Sequence, residues 1–327
     1  MDECPITSSI LDIGSHAFSD CILLKSLTIP ESIKTIGEWA FSGCTSLTQV
    51  FVKAGIKELP SYSFKECSSL SDIVLPETLK IIGDYAFKNC IALSSISIPN
   101  NVTSIGREAF MGCTALSSIT LPNKLQLLDF GAFEDCSALY SVHFNEHITE
   151  IGLAAFENCS SLSSLSFPNS LKKIGASAFR GCSNLSFISF PSSLKEIGNI
   201  AFCECKSLRE VTIPDSIDQI NLCCFMDCIS LQTVHLPEGI SYVGEKAFMN
   251  CTSLSSINFP ASLREFSNSA FENCTSLRNV YLGKSVKYLW GRVFYGCTNL
   301  TVRYQYSYSR IVHEDDFEGC AEVIRVD

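Results

Sequence analysis

The chain has 327 residues, 46% of them hydrophobic, and a formal net charge of −10. That balance argues against nucleic acid as a partner, because phosphate binding takes a basic patch. No run of about 18 apolar residues is available to span a membrane. The opening Met-Asp-Glu-Cys-Pro has neither a basic n-region nor an apolar h-region, and the closing Val-Ile-Arg-Val-Asp is no prenylation box. Taken literally, these features describe a soluble intracellular protein.

From the first residues onward one unit repeats. Phenylalanine recurs at a fixed period, at Phe18, Phe41, Phe64, Phe87, Phe110, Phe133, Phe156, Phe179, Phe202, Phe225, Phe248, Phe271, Phe294 and Phe317, and a cysteine follows each ring at the third position, from Cys21 to Cys320. A fixed period of this size is the mark of a solenoid built by stacking one unit. It overrides the two globular domains that length alone would suggest. Residues 1–299 read as about thirteen repeats and residues 300–327 as a divergent terminal repeat or cap. Met1, Cys4 and Ile6 fall one period before the inward residues Leu24, Leu27 and Ile29, so the solenoid is expected to start without a cap. An exposed strand edge invites pairing, which makes self-association at the N-terminal end one expectation and a truncated chain the other. After Leu300 the apolar residues shift to Val302 and Tyr304, and Val312, Phe317 and Cys320 recover the register.

The repeat Leu93–Ala115 shows the parts of one unit. Ile96 and Ile98 alternate with Ser95 and Ser97, the period of a strand. Pro99 ends its ladder, Asn100 and Asn101 form a turn, and Val102 with Ile105 makes a second short apolar stretch. Gly106 is expected at a backbone position of positive φ, with Asp129 and Asn221 as the tolerated alternatives, whereas Pro60, Ser267 and Trp290 do not fit that rule. Ala109-Phe110-x-x-Cys113 is long enough only for a single helical or 3₁₀ turn. The inward set is Leu93, Ile96, Ile98, Val102, Ile105, Ala109, Phe110 and Cys113. Strands stacking at roughly 4.8 Å would make one continuous parallel sheet in a rod roughly 60 Å long.

The pattern L-x-x-I-x-L-P-x-x-L-x-x-I-G-x-x-A-F-x-x-C resembles the BspA-like class of leucine-rich repeats. Ile-Gly-x-x-Ala-Phe-x-x-Cys stands intact at Ile36–Cys44, Ile105–Cys113, Ile151–Cys159, Ile174–Cys182 and Ile197–Cys205. The resemblance covers nearly the whole chain. It implies a right-handed leucine-rich-repeat-like coil with a parallel β-sheet on the concave face and short helical or 3₁₀ turns on the other side. It also implies the role of such surface antigens, adhesion and protein binding, with no catalytic site or cofactor in the repeats, and it pulls toward the cell surface.

The side chains with chemistry to offer are few. Of eighteen cysteines, fourteen share the core column. They read as buried free thiols acting as small hydrophobes. Disulfides between neighbouring coils are the alternative, disfavoured because a regular ladder points its side chains in parallel. Cys203, Cys205, Cys223, Cys224 and Cys228 crowd two adjacent repeats, but three of them sit on core columns, so packing is preferred to zinc. His143 and His235 share a column four coils apart, roughly 19 Å by strand spacing, and cannot share a metal. The acidic column Glu31, Glu77, Glu146, Asp215 and Glu238 reads as a solvated turn. No nucleophile–base pair or phosphate loop is present, so no enzyme is expected.

The residues flanking each inward strand position are mostly small and polar, which suits a groove for an extended protein, peptide or glycan. The candidate contact residues are Phe51, Val74, Ser118, Ser141, His143, Ser166, Phe187, His235 and Tyr281. Phe51 with Val74, Phe187, and Tyr281 near Trp290 are the large exceptions. Exposed aromatics anchor interfaces, but singly placed they are also ordinary surface residues, and Phe187 reads as the latter. The rival expectation is a structural module stacking end to end.

Overall fold

The computed structural model describes residues 3–305 and 314–326. The chain forms two compact units, Met1–Leu162 and Ser163–Asp327. Both are parallel-strand solenoids, about thirteen turns in all, with almost no helix. Among the described residues the helical segment is the 3₁₀ turn Glu314–Phe317.

In the first unit most coils carry a main strand and, further along the coil, a second strand of only two residues. The main strands Ser26–Ile29, Gln49–Val52 and Asp72–Val74 pair in parallel with partners one repeat apart, such as Leu27 with Val50 and Val50 with Ile73. Cys4 stands opposite Leu27 and Ile6 is buried, as the period requires. Met1 lies outside the described residues. The short strands Glu58–Leu59, Ile81–Ile82 and Ser104–Ile105 form a second ladder with the same offset. In the second unit the corresponding main strands run from Ser164–Ser166 to Glu322–Val326, and the short ones from Lys173–Ile174 to Tyr288–Leu289.

The main-strand sheet is not continuous, contrary to the sequence expectation. In the first unit the ladder that ends at Asp72–Val74 is separate from the pair Ser118–Thr120 and Ser141–His143. The interruption falls on Ser95–Ile98, where the alternation of Ile96 and Ile98 predicts a strand and none forms. Ile96 is half-buried there, whereas its equivalents Ile73 and Ile119 are buried. Burial of Leu93, Ile98 and Pro99 holds the segment in place without a backbone ladder. An open cavity of about 440 Å³ lies beside it, lined by Ser95, Ile96, Ser97, Ile98, Asn100 and Thr120. Apolar alternation fixes which way side chains face. It does not oblige two neighbouring strands to hydrogen-bond.

The Ala-Phe turn is neither helix nor strand. Tyr85, Phe87 and Asn89 donate their N–H groups to Arg107, Ala109 and Met111 of the next coil at 2.7–2.8 Å. The residues between them, Ala86, Lys88 and Cys90, donate within the coil to Gly83, Tyr85 and Phe87 at 3.1–3.3 Å. Alternate N–H groups therefore point along the stack and around the turn, and a helix, whose N–H groups all point one way, cannot propagate. The geometry places two columns at positive φ, such as Tyr85 (57°) and Asn89 (60°). The second of these reads Asp20, Gly43, Glu66, Asn89, Gly112, Asp135 and Asn158 in the first unit, mostly the residues that tolerate the left-handed region.

The glycine column expected at positive φ is not one of them, and Asp129 and Asn221 are not at positive φ either. Its glycines answer to space. A methyl group on Gly83 would sit 2.6 Å from the Ser61 nitrogen and 2.7 Å from the Pro60 carbonyl carbon. Gly106 would meet the Asp84 nitrogen at 2.7 Å. Backbone passes against backbone at this corner, where Gly83 and Gly106 donate to Leu59 and Ile82 at 2.8 and 2.9 Å.

Behind the strands the phenylalanines stack face over face. Centroids from Phe18 to Phe156 lie 5.1–5.8 Å apart, with ring planes within 12°. In the second unit the column runs from Phe179 to Phe317 at 5.1–6.1 Å. Near its end the main-strand offset falls short of the period, first where Val280 pairs with Val302 and further where Val302 pairs with Val323. Phe317 still stacks on Phe294, so the shortening is absorbed in the strands while the ring column keeps its period. Val312 lies outside the described residues.

Phe156 is fully buried and Phe187 is 57% exposed. Phe156→Ala should cost roughly 3–5 kcal/mol of stability through lost contacts and a cavity. Phe187→Ala should cost far less. Denaturant titration of the two variants checks the column assignment, and equal losses would contradict it.

Candidate functional site

The outward residues of the main strands form the candidate face. In the first unit Phe51 and Val74 are direct cross-strand partners, Phe51 half-buried and Val74 half-exposed. Ser118 pairs with Ser141 and Thr120 with His143, so Ser118, Ser141 and His143 are brought together on one two-stranded patch. In the second unit Ser166 lies on the same strand as Ser164, the partner of Phe187. His235 pairs with Thr212, and its Nε2 lies 2.9 Å from the Glu210 Oε1. Tyr281, half-exposed, borders an open cavity of about 550 Å³ with Phe259, Lys284 and Gln305. Trp290 is turned elsewhere, onto Tyr288 and Glu265.

Much of the serine at the coil corners has structural work. The Ser117 hydroxyl donates to the Ser94 carbonyl at 3.2 Å, Ser186 to Ser163 at 3.1 Å and Ser255 to Gln232 at 3.3 Å. The same donation recurs before the short strands, from Thr103 to Lys80 and from Thr149 to Gln126. These residues stitch one coil to the previous one. The serines one position later, Ser118 and Ser141, face outward from the strands.

The cysteine column is also a donor column, a role that the reading of thiols as small hydrophobes did not include. From Cys44 to Cys159 and from Cys205 to Cys320 the column thiols donate to the phenylalanine carbonyl of the preceding coil, as in Cys90 to Phe64 at 3.1 Å and Cys113 to Phe87 at 3.2 Å. The same carbonyl accepts the N–H of its own coil's cysteine, Cys90 to Phe87. The cysteines from Cys21 to Cys320 are free thiols. Burial pushes the Cys113 thiol up to about 12. Cys90, Cys136 and Cys228 are raised for the same reason.

The turn side has its own order. His16, Trp39, Tyr62 and Tyr85 occupy the first positive-φ column and stack at 5.7, 3.8 and 4.7 Å. Their recurrence at the repeat period is visible in the sequence, but sequence reasoning did not single it out. The next member, Glu108, is buried and bonded to Lys88 at 2.7 Å and Arg107 at 3.3 Å. Beyond it the column carries Gly131 at φ 58°, where an added Cβ would sit 2.9 Å from a carboxylate oxygen of Glu134. Burial, then the charges of Glu157, Asp135 and Glu108, raises the Glu134 carboxyl to about 7. Among the described residues no three His, Cys, Asp or Glu side chains converge as a metal ligand set, and no helix is long and apolar enough to cross a membrane.

This combination of strand, corner hydroxyls and Phe-x-x-Cys turn defines a leucine-rich-repeat solenoid of one type. The profile of the BspA type leucine rich repeat region matches residues 1–117, 80–209 and 195–324, in six copies. The chain belongs to that family. It is similar to a leucine-rich repeat protein from Bacteroides ovatus, with 30% identity over 99% of this chain and 91% of the other, and a TM-score of 0.81. A leucine rich cell surface protein from Faecalibacterium prausnitzii is 27% identical, with 92% and 84% coverage and a TM-score of 0.55. A leucine-rich repeat protein from Eubacterium ventriosum shares the fold at 22% identity, 84% and 82% coverage and a TM-score of 0.54. No curated protein sequence matches the chain.

Most column thiols should stay reduced and react slowly with a thiol reagent until the protein unfolds, because burial suppresses the thiolate. Mass spectrometry finding a Cys113–Cys136 bond in the native protein would contradict this. A carboxyl whose folded pKa is raised holds its proton longer in the folded state, so its contribution to stability is present at low pH and declines as pH rises from the ordinary glutamate range toward about 7. Glu134→Gln should remove that decline and stabilise the protein in mildly alkaline solution, as read by thermal unfolding across pH.

Proposed function

We propose that the protein is a non-enzymatic interaction module that holds an extended protein, peptide or glycan partner on the outward residues of its main strands. One observation carries the reading. Most main strands place their inward residue in the core and leave flanking side chains of which the fold makes little use, mostly small and polar, with Val74, Phe187 and Tyr281 as the large apolar exceptions. Such a face contributes a few side chains per coil, so affinity must accumulate over several coils. The Faecalibacterium relative is described as a cell surface protein, which supports an adhesive role at a surface for this chain also.

The paired Ser118 and Ser141 offer the test in the first unit, and Ser166 in the second. Substitution of each by Trp should weaken a partner's binding by about tenfold or more, the scale of a lost interface anchor. Stability should change little, by about 0.5 kcal/mol, since these side chains lie on the outward face of the strands and not in the core. Calorimetric titration of a captured partner checks it. Loss of binding on turn-side changes such as Glu157→Lys, with the strand variants unaffected, would overturn the proposal.

A further inference from the structure

The second unit carries an exposed aromatic cluster near the end of its short-strand ladder. The outward residues of its short strands read Lys173, Glu196, Gln219, Tyr242, Glu265 and Tyr288. Tyr242 stands opposite Glu265, and Glu265 opposite Tyr288. One residue past the last strand, Trp290 occupies the column that carries glycine at Gly198 and Gly244. Its indole is 41% exposed and Tyr288 is 42% exposed. The two rings lie 6.3 Å apart with planes 19° from parallel. The Trp290 Nε1–H donates to the Glu265 Oε1 at 2.8 Å, which fixes the indole. The fold does not require this cluster, because the same position in the unit's other coils carries only glycine, asparagine or serine. A large aromatic group held in water by a hydrogen bond is the feature that calls for an explanation.

We propose that Tyr242, Glu265, Tyr288 and Trp290 form a binding platform for a neutral, β-linked glycan. A pyranose presents C–H groups on its face and hydroxyls on its rim. Tyr288 and Trp290 offer aromatic surface to the first, and Glu265, with one oxygen on the indole, offers the other to a hydroxyl. A proline-rich peptide also docks on aromatic surfaces, but the indole N–H that would bond its carbonyl is already committed to Glu265. An anionic partner would meet the Glu265 charge. Tyr242 and Tyr288 are two coils apart, about 10 Å by strand spacing, so a chain of several sugars can touch both. A flat β-linked chain fits a ladder of this kind better than a coiled α-linked one. The platform lies on the short-strand ladder and is independent of the main-strand face.

The test uses the full chain with Trp39→Phe, which leaves Trp290 as the single tryptophan of the original two. Titration with cellohexaose or chitohexaose should change its fluorescence saturably, and maltohexaose should bind more weakly. By calorimetry, Trp290→Gly should lose about tenfold or more in affinity, the scale of a hot-spot truncation. That variant restores the residue other coils carry, and circular dichroism confirms its fold. No saturable response to either β-linked sugar, equal binding of maltohexaose, or undiminished affinity in Trp290→Gly would each overturn the proposal. Saturable binding of a proline-rich peptide with no sugar response would reassign the platform to that partner.

Discussion

The fold depends on backbone hydrogen bonds that run from coil to coil on every side, including the turn. A strand satisfies this requirement with ordinary extended geometry. The Ala-Phe turn satisfies it only by sending alternate N–H groups along the stack, and that alternation puts two residues per coil into the left-handed region. Everything else in the repeat accommodates this. Asn, Asp and Gly fill much of one such column, and Asn158 bonds Asp135 across the coil boundary at 3.0 Å. Glycine stands at the corner where two backbones nearly touch. The thiols and corner hydroxyls add donors to carbonyls that already accept backbone N–H groups, using their remaining lone-pair capacity.

The columns divide sharply between those that hold the coil and those that do not. Phe, Ala, Leu and Cys positions are almost wholly buried, and a change in one of them is felt by the coil before and the coil after. The outward positions have no such neighbours in the core. Aromatic residues therefore carry different meanings by column. At Phe110 a ring is packing, at Trp39 it is part of a stack on the turn, and at Trp290 it is surplus to the fold.

Period and inward faces were readable from the chain because hydrophobic burial repeats with the backbone. The register of Leu27 with Val50, the buried Phe column and the shift at Val302 all follow from apolar spacing. The missing strand at Ile96 was not readable, since alternation specifies facing and not pairing. The glycine column was placed correctly and explained wrongly: Gly106 is identical in sequence whether it answers to φ or to space, and only the distance to Asp84 separates the two. On the candidate face the sequence pointed to Phe51 and Val74, and the register made them direct partners. The Trp290–Glu265 bond joins two different coils and has no local signature.

One and the same offset is shared by the strand ladders, the ring stack and the corner hydroxyl donors of the regular coils. Any duplication or loss of one whole period, wherever its ends fall within that array, returns each following side chain to its own column. Genes of this kind can thus lengthen or shorten by recombination between repeats without passing through an unfolded product. The outward residues are carried along as cassettes, so a change in copy number also reshuffles what the surface presents.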